Sequence, residues 1–263
     1  MSADQNAVVA ATPVERPPLP PSPCTGICTI NETHGFCCGC GRTSQDITVW
    51  PDASLEERSA IWRLLPERLA KLGVRAFRLP ATPTELGIFV EQTLTSKAGT
   101  WDIGIPSLPL RFDARGTLAL TSDERSVQAR NSNGDDIRLI KHDRMRAFGL
   151  ADENSADRLA AVALALPRGR AEVSSIQLEN TSAQTLATAY PFARFSKHET
   201  TRLRGATALG EVEVTASHNA IEALQTYIYD QEAPGAFGIP RAFAVCAVFH
   251  SQDPGWLAGA IGP

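Results

Sequence analysis

The sequence predicts an α+β protein, in which a small cysteine-rich, metal-binding helical module precedes an α+β domain with a mainly antiparallel sheet. Three observations carry that prediction. Five of the six cysteines fall within the 17 residues from Cys24 to Cys40. Two capping boxes open amphipathic helices soon after them. From Trp101 onward, short runs of alternating hydrophobicity are separated by turn residues. The chain has 263 residues, 43% of them hydrophobic, enough for one large domain or two small ones with a real core. The expected organisation is a Pro-rich disordered tail at 1–21, a four-cysteine module at 22–74, a linker at 75–83 and an α+β domain of unknown function at 84–263.

The tail contains Pro17-Pro18-Leu19-Pro20-Pro21, an extended segment that cannot be helical. Its start, Met-Ser-Ala-Asp-Gln-Asn, has neither a basic region nor an apolar core of the signal-peptide kind. A cytoplasmic chain is therefore expected, and there clustered cysteines favour metal or redox chemistry over disulfides. The spacing is C-x3-C, eight residues, then C-x2-C. Two pairs in loop-like sequence suit four thiolates around one centre better than a single thioredoxin-type pair.

The candidate ligands are Cys24, Cys28, Cys37 and Cys40. Cys38 lies inside the second pair and should point away from the metal; its alternatives are a spare thiol, a substitute ligand or a resolving thiol. His34 is either a solvated loop residue or the imidazole of a Cys3His site. Gly39 and Gly41 let the backbone turn tightly around Cys40. Arg42 and the turn amides offset the thiolate charge, and Ile27, Ile30, Phe36 and Trp50 supply an apolar shell. Tetrahedral sulfur coordination suits zinc or iron, mononuclear or in a cluster, and spacing alone does not choose between an iron-sulfur cluster and Zn2+.

Residues from about Ser22 to Leu72 resemble a family of short bacterial four-cysteine domains of unknown function, predicted iron–sulfur proteins of the YdhL-like type. The resemblance is carried by Ser22-Pro23-Cys24, Gly26 and Cys28; by Gly35, Cys37 and Gly39-Cys40-Gly41-Arg42-Thr43; and by Ile47 and Trp50. Glu56-Glu57-Arg58, Leu65-Pro66 and Arg68 complete it. It covers about a fifth of the chain. It implies a four-cysteine metal site and leans towards iron–sulfur; it implies no known reaction. Cys38 departs from the pattern.

Thr43 caps a short helix through Trp50. Ser54 to Glu57 forms a capping box for a helix to about Leu65, and Pro66 either kinks it or opens a second helix to Leu72. Ile61, Leu64, Leu65, Leu69 and Leu72 form its apolar stripe. Thr82 to Glu85, with proline at the first helical position, starts a helix to about Leu94 that buries Leu86, Phe89 and Val90. A meander of four or five strands follows: Trp101–Ile105, Leu108–Phe112, Thr117–Thr121, Ser126–Arg130 and Ile137–His142. Asn133-Gly134 marks a two-residue hairpin. Ala156–Leu166 reads as a buried helix and Val173–Leu178 as a strand or a helix end. Leu209–Ser217 reads as a strand with one wet face, Asn219–Tyr229 as a helix, Phe243–Phe249 as a buried strand and Gly255–Ile261 as a short helix or tail.

The formal charge of −4 and the pI near 5.8 argue against a broad nucleic-acid surface. The longest apolar runs, Ala160–Leu166 and Phe243–Phe249, are too short to span a bilayer. No phosphate-binding loop occurs, and Gly235 to Gly238 lacks the dinucleotide fingerprint. His198-Glu199 opens like a zinc-protease helix, but Arg202 replaces the second histidine. His198, His218, Asp230, Arg241, His250 and Asp253 remain as polar candidates, with His250 and Asp253 placed where a strand ends in a loop. Cys246 reads as a packed core thiol.

The expected function is metal binding, of the predicted iron–sulfur kind and of unassigned role, with electron transfer as one use of the cysteine module and a protein as the expected partner. The alternatives are a structural zinc module for protein–protein interaction and an uncharacterised enzyme in the C-terminal domain. No nucleic-acid or membrane partner is expected.

Overall fold

The computed structural model describes residues 19–105, 108–152, 159–168, 194–197, 202–215, 238–240 and 242–261. Four helices and twelve strands lie within these residues. Thr43 caps α1 (Ser44–Val49), and Ser54 caps α2 (Leu55–Lys71) through a reciprocal box: its hydroxyl accepts from Glu57 N, and Glu57 Oε2 accepts from Ser54 N at 2.8 Å. α2 runs through Pro66 as one helix. It buries Ile61, Trp62, Leu65 and Leu69, whereas Leu64, expected in that stripe, is exposed. Gly73, at φ 71°, ends it in the left-handed conformation that glycine adopts without strain. Thr82 opens α3 (Pro83–Thr95) with a second box and buries Leu86, Phe89 and Val90 as expected.

The strands form two antiparallel six-stranded sheets. The first has the order β1-β7-β8-β12-β2-β3, from β1 (Ala76–Arg78), β7 (Arg146–Ala151), β8 (Leu159–Pro167), β12 (Phe243–Ser251), β2 (Gly99–Ile105) and β3 (Leu108–Asp113). The second has the order β4-β5-β6-β11-β10-β9, from β4 (Leu118–Ser122), β5 (Ser126–Asn131), β6 (Asp136–Ile140), β11 (Gly210–Thr215), β10 (Arg202–Thr207) and β9 (Arg194–Lys197). The five expected strands after Trp101 therefore all form, but the meander is divided: β2–β3 joins one sheet and β4–β5–β6 the other. Asn133-Gly134 does sit in a hairpin, with one residue more than the two-residue turn expected. Asn131 N donates to Asp135 O, and Gly134, at φ 78°, donates to Asn131 O. Asn131 Oδ1 accepts from the amides of Asn133 and Asp135, both at 3.0 Å, and so holds the loop closed.

Two further readings are corrected. Of the segment read as a buried helix at Ala156–Leu166, the described residues from Leu159 on belong to strand β8, paired on both sides with β7 and β12. A short apolar run buried on two faces has no period that separates strand from helix, and ladder pairing overrides the helix preference of alanine and leucine. The stretch 75–83 contains β1, whose residues Ala76, Phe77 and Arg78 pair with Leu150, Gly149 and Phe148. At the end of the Pro-rich segment, Pro21 O accepts from Trp62 Nε1 at 3.1 Å. The expected elements at Val173–Leu178 and Asn219–Tyr229 lie outside the described residues.

The first sheet has two buried faces. Phe77, Ala147, Val162, Leu164, Trp101 and Phe249 face inward, against α3, the terminal helix α4 (Pro254–Ile261), α2 and the second sheet. Phe249 packs its ring at 5.2 Å from Trp101 and 5.8 Å from Phe89. Trp101 Nε1 donates to the buried Thr93 Oγ1 at 3.0 Å, so the indole polar atom is satisfied inside the core. The outward face carries Ala76, Phe148, Ala161, Ala163, Ala165 and Val248. Among the described residues no helix is long and apolar enough to cross a membrane.

Replacing Phe249 with alanine should cost about 3–5 kcal/mol, because a large ring at the meeting point of β12, α3 and α4 leaves a cavity that three elements cannot close together. Urea unfolding of the variant would show it as a lower midpoint at an unchanged slope.

Candidate metal centre

The cysteine segment folds as two arms. In the first, Cys24 N donates to Ser22 Oγ at 3.3 Å, and Gly26 N, at φ 83°, donates to Cys24 Sγ at 3.4 Å. The second arm starts with a tight turn. Asn31 Oδ1 accepts from Thr33 N and His34 N, Gly35 N returns to Asn31 O, and Ile30 bridges Cys37. Cys37 N then donates to Arg42 O and Gly41 N to Cys37 O, both at 2.8 Å, which closes the loop Cys37 to Arg42 into a knuckle.

Gly39 is where the arms touch. A Cβ there would lie 2.5 Å from Thr25 Oγ1 and 2.7 Å from Ile27 Cβ, so only glycine allows the contact. Thr25, itself buried, donates to Gly39 O at 3.1 Å and pins the approach.

All six cysteines carry free thiols. The four expected ligands are linked in pairs, Cys28 to Cys24 and to Cys37, and Cys40 to Cys37. Cys28 is exposed, yet its thiol is raised above the usual cysteine range, first by the negative charge of Cys24, then by desolvation, and further by Cys37. Cys40 is raised by burial, against the pull of Arg42, with Cys37 adding to the rise. Cys24, Cys28, Cys37 and Cys40 thus form one connected set. Cys38 is not among the leading influences on Cys28 or Cys40, and its amide is spent on Thr29 O. His34 is exposed, with its ring lying parallel to that of Phe36.

Among the described residues, no three or more His, Cys, Asp or Glu side chains are gathered closely enough to form a ready-made ion site. Two of the sulfurs accept hydrogen bonds: Cys24 Sγ from Gly26 N, and Cys40 Sγ from the buried Arg42, whose Nε lies at 3.4 Å and whose guanidinium lies 5.2 Å from the Trp50 ring centre. The Cys37 thiol instead donates to Ile27 O at 3.1 Å, a contact made by its protonated form. Asp46 locks the knuckle to α2 through an ion pair with Arg68 at 2.6 Å, and Arg68 also lies over Phe36.

A second polar cluster lies on the outward face of the first sheet. Asp102 is buried and accepts from Arg111 Nε and Nη2, both at 2.7 Å, and its Oδ2 lies 3.0 Å from His250 Nε2. His250, read from the sequence as a polar candidate where a strand ends in a loop, pairs with Asp102, 148 residues away in sequence. Asp253 instead caps α4, its Oδ1 accepting from Gly255 N and Trp256 N. The only clue to Asp102 in sequence is a carboxylate alternating with the buried Trp101 and Ile103. Cys246 is fully buried and its thiol is pushed up to about 12 by desolvation, as a core thiol should be. His198, His218, Asp230 and Arg241 lie outside the described residues. The outward face of the second sheet is charged, and among the described side chains Arg130 pairs with Asp136 and Arg204 with Glu211.

Residues 22–69 match the family described as "Protein of unknown function (DUF1289)". No curated protein and no solved structure matches the chain.

Burial alone would raise the Asp102 carboxyl; hydrogen bonds from Arg111 and His250, with their charges, more than reverse that and hold it below the usual carboxylate range. A folded-state value below the unfolded one stabilises the protein above the unfolded pKa of about 3.9, and that stabilisation is lost as pH falls through the folded value. Asp102→Asn should cost about 1–3 kcal/mol at neutral pH. Its stability should also fall less steeply than wild type below about pH 4. Thermal unfolding across an acid pH series measures both.

Proposed function

We propose that residues 22–69 form a metal centre held by Cys24, Cys28, Cys37 and Cys40, of the iron–sulfur type, which passes electrons to or from a protein partner. The observation that carries this reading is the connected set of four thiols on two arms that meet at Gly39. Sulfur-directed donors, Gly26 N to Cys24 and Arg42 Nε to Cys40, support it. A bound iron–sulfur group supplies one-electron exchange between a reduced and an oxidised protein partner, with no covalent bond made or broken.

The chain's own part is to hold and shield. Trp50, Trp62, Leu65 and Leu69 form a buried apolar floor beside the knuckle, and Leu69 Cγ comes within 3.0 Å of where a Cβ on Gly41 would stand. Cys28 is exposed and Ile27, next to it, is 41% exposed, so the first arm is where a partner would dock. Resemblance to the predicted iron–sulfur family favours iron over zinc. The glycine knuckle with four thiols is equally suited to structural zinc, which is the second reading. A cytoplasmic location goes with either.

Anaerobic purification followed by an absorption spectrum and metal analysis tests the reading. Iron with sulfide and broad visible absorption is the expected result. A colourless protein with about one zinc per chain would make the module structural. A protein with neither overturns the metal reading. Serine at Cys24, Cys28, Cys37 or Cys40 should abolish metal retention and serine at Cys38 should not. If metal is lost from the Cys38 variant and kept by the Cys37 variant, the ligand set is wrong.

A further inference from the structure

Arg78 lies outside the family-matched segment, on edge strand β1 of the first sheet. It is 8% exposed. Its Nη1 donates to Ser22 O at 2.8 Å and to Cys24 O at 3.3 Å, so the guanidinium clamps the backbone on either side of Pro23 and fixes where Cys24 begins. Its Nε and Nη2 are buried and have no hydrogen-bond partner. No carboxylate stands among the leading influences on it. Arg146, two residues before β1's neighbour Phe148, repels it, and the Cys24 thiol attracts it. Arginine keeps its charge in proteins, so this buried guanidinium is a cation at neutral pH.

An uncompensated buried guanidinium is among the most costly groups a fold can carry. Carbonyl oxygens satisfy one of its nitrogens and none of its net charge. Resting on the metal reading of residues 22–69, we propose that Arg78 is the buried counter-ion of the cysteine centre and the positioning residue for Cys24, contributed by the sheet. Four thiolates around a metal ion or cluster leave net negative charge, whichever metal is bound. That charge is the partner Arg78 lacks among the described side chains. Arg42 serves the knuckle arm through Cys40; Arg78 serves the other arm through Cys24. The centre therefore depends on a residue that the 22–69 segment does not contain.

The test uses the full chain, stripped of metal anaerobically, with zinc(II) as the probe in competition with a chromogenic chelator. Arg78→Gln removes the charge and keeps a hydrogen-bond donor near the carbonyls; Arg78→Lys keeps the charge. Arg146→Met removes the nearby cation that contacts neither arm. Arg78→Gln should weaken zinc binding roughly ten- to hundredfold, as loss of a group supporting a metal ligand does. Arg78→Lys should recover most of it, and Arg146→Met should lose none. Zinc should also raise the thermal midpoint of Arg78→Gln by less than it raises that of wild type, while the stripped variant is no less stable than stripped wild type. A purely structural clamp would instead lower both states equally.

Wild-type zinc binding with an unchanged Arg78→Gln overturns the counter-ion proposal and leaves the metal reading intact. A wild-type chain that takes up no zinc and retains no iron on anaerobic purification overturns both. If Arg78→Gln fails to fold, Arg78→Lys decides, because a tenfold or greater loss with the charge retained is incompatible with a counter-ion role.

Discussion

The pairing of β8 with β12 in the middle of the first sheet is the constraint on which the rest of the molecule is built. Both strands are buried on both faces, which is the condition that turns a strand into an unbroken apolar run. On the inward side Val162, Leu164, Ala247 and Phe249 require large partners, and α3, α4 and the second sheet supply them. On the outward side Ala161, Ala163, Ala165 and Val248 keep the surface low and close-packed. Gly149 on β7 follows from the same packing. A side chain there would meet Leu159 at 2.5 Å and Leu79 and Phe77 at 3.2 Å, so the sheet has no room for one.

The cysteine segment is attached to this sheet and does not stand apart from it. α2 contributes Ile61, Trp62, Leu65 and Leu69 to the same core that holds Trp101 and Phe249. Trp62 reaches back to Pro21, and Arg78 on β1 reaches the carbonyls of Ser22 and Cys24. A segment of some fifty residues has little apolar volume of its own, and sharing a core offsets what it lacks. The position of the first cysteine is accordingly set by two contacts from elsewhere in the fold, one to a helix and one to an edge strand.

What the sequence made legible was whatever is encoded locally. Capping boxes at Ser54 and Thr82, the cap at Thr43 and the alternation in β2 to β6 and β11 are each written within a few residues, and each forms where expected. What stayed illegible needs partners far along the chain. β8 reads as helix because alanine and leucine favour one, and only pairing with β7 and β12 makes it a strand. The division of the meander between two sheets follows from long-range packing, as does the pairing of His250 with Asp102. Gly39 was legible as a turn residue, but not as the contact between the arms at Thr25 and Ile27. Arg78 carried no signal at all, since a lone arginine beside a Pro-rich stretch looks like a solvated linker residue.

The electrostatics of the four thiols bear on why a cation belongs among them. Cys28 is exposed, and its thiol is still raised, first by Cys24, then by desolvation, with Cys37 adding to the rise. Cys40 resists for a different reason, burial, and Arg42 only partly offsets it. Ionising all four thiols would set mutual repulsion and desolvation against two arginines, one hydrogen-bonded to a sulfur and the other to backbone carbonyls. A bound metal ion reverses the sign of that balance, because it outweighs every other charge in the site and deprotonates the thiols it binds. Cys28 and Cys40 thus resist ionisation for different reasons, and on the proposed metal reading the two buried arginines would meet the charge that remains.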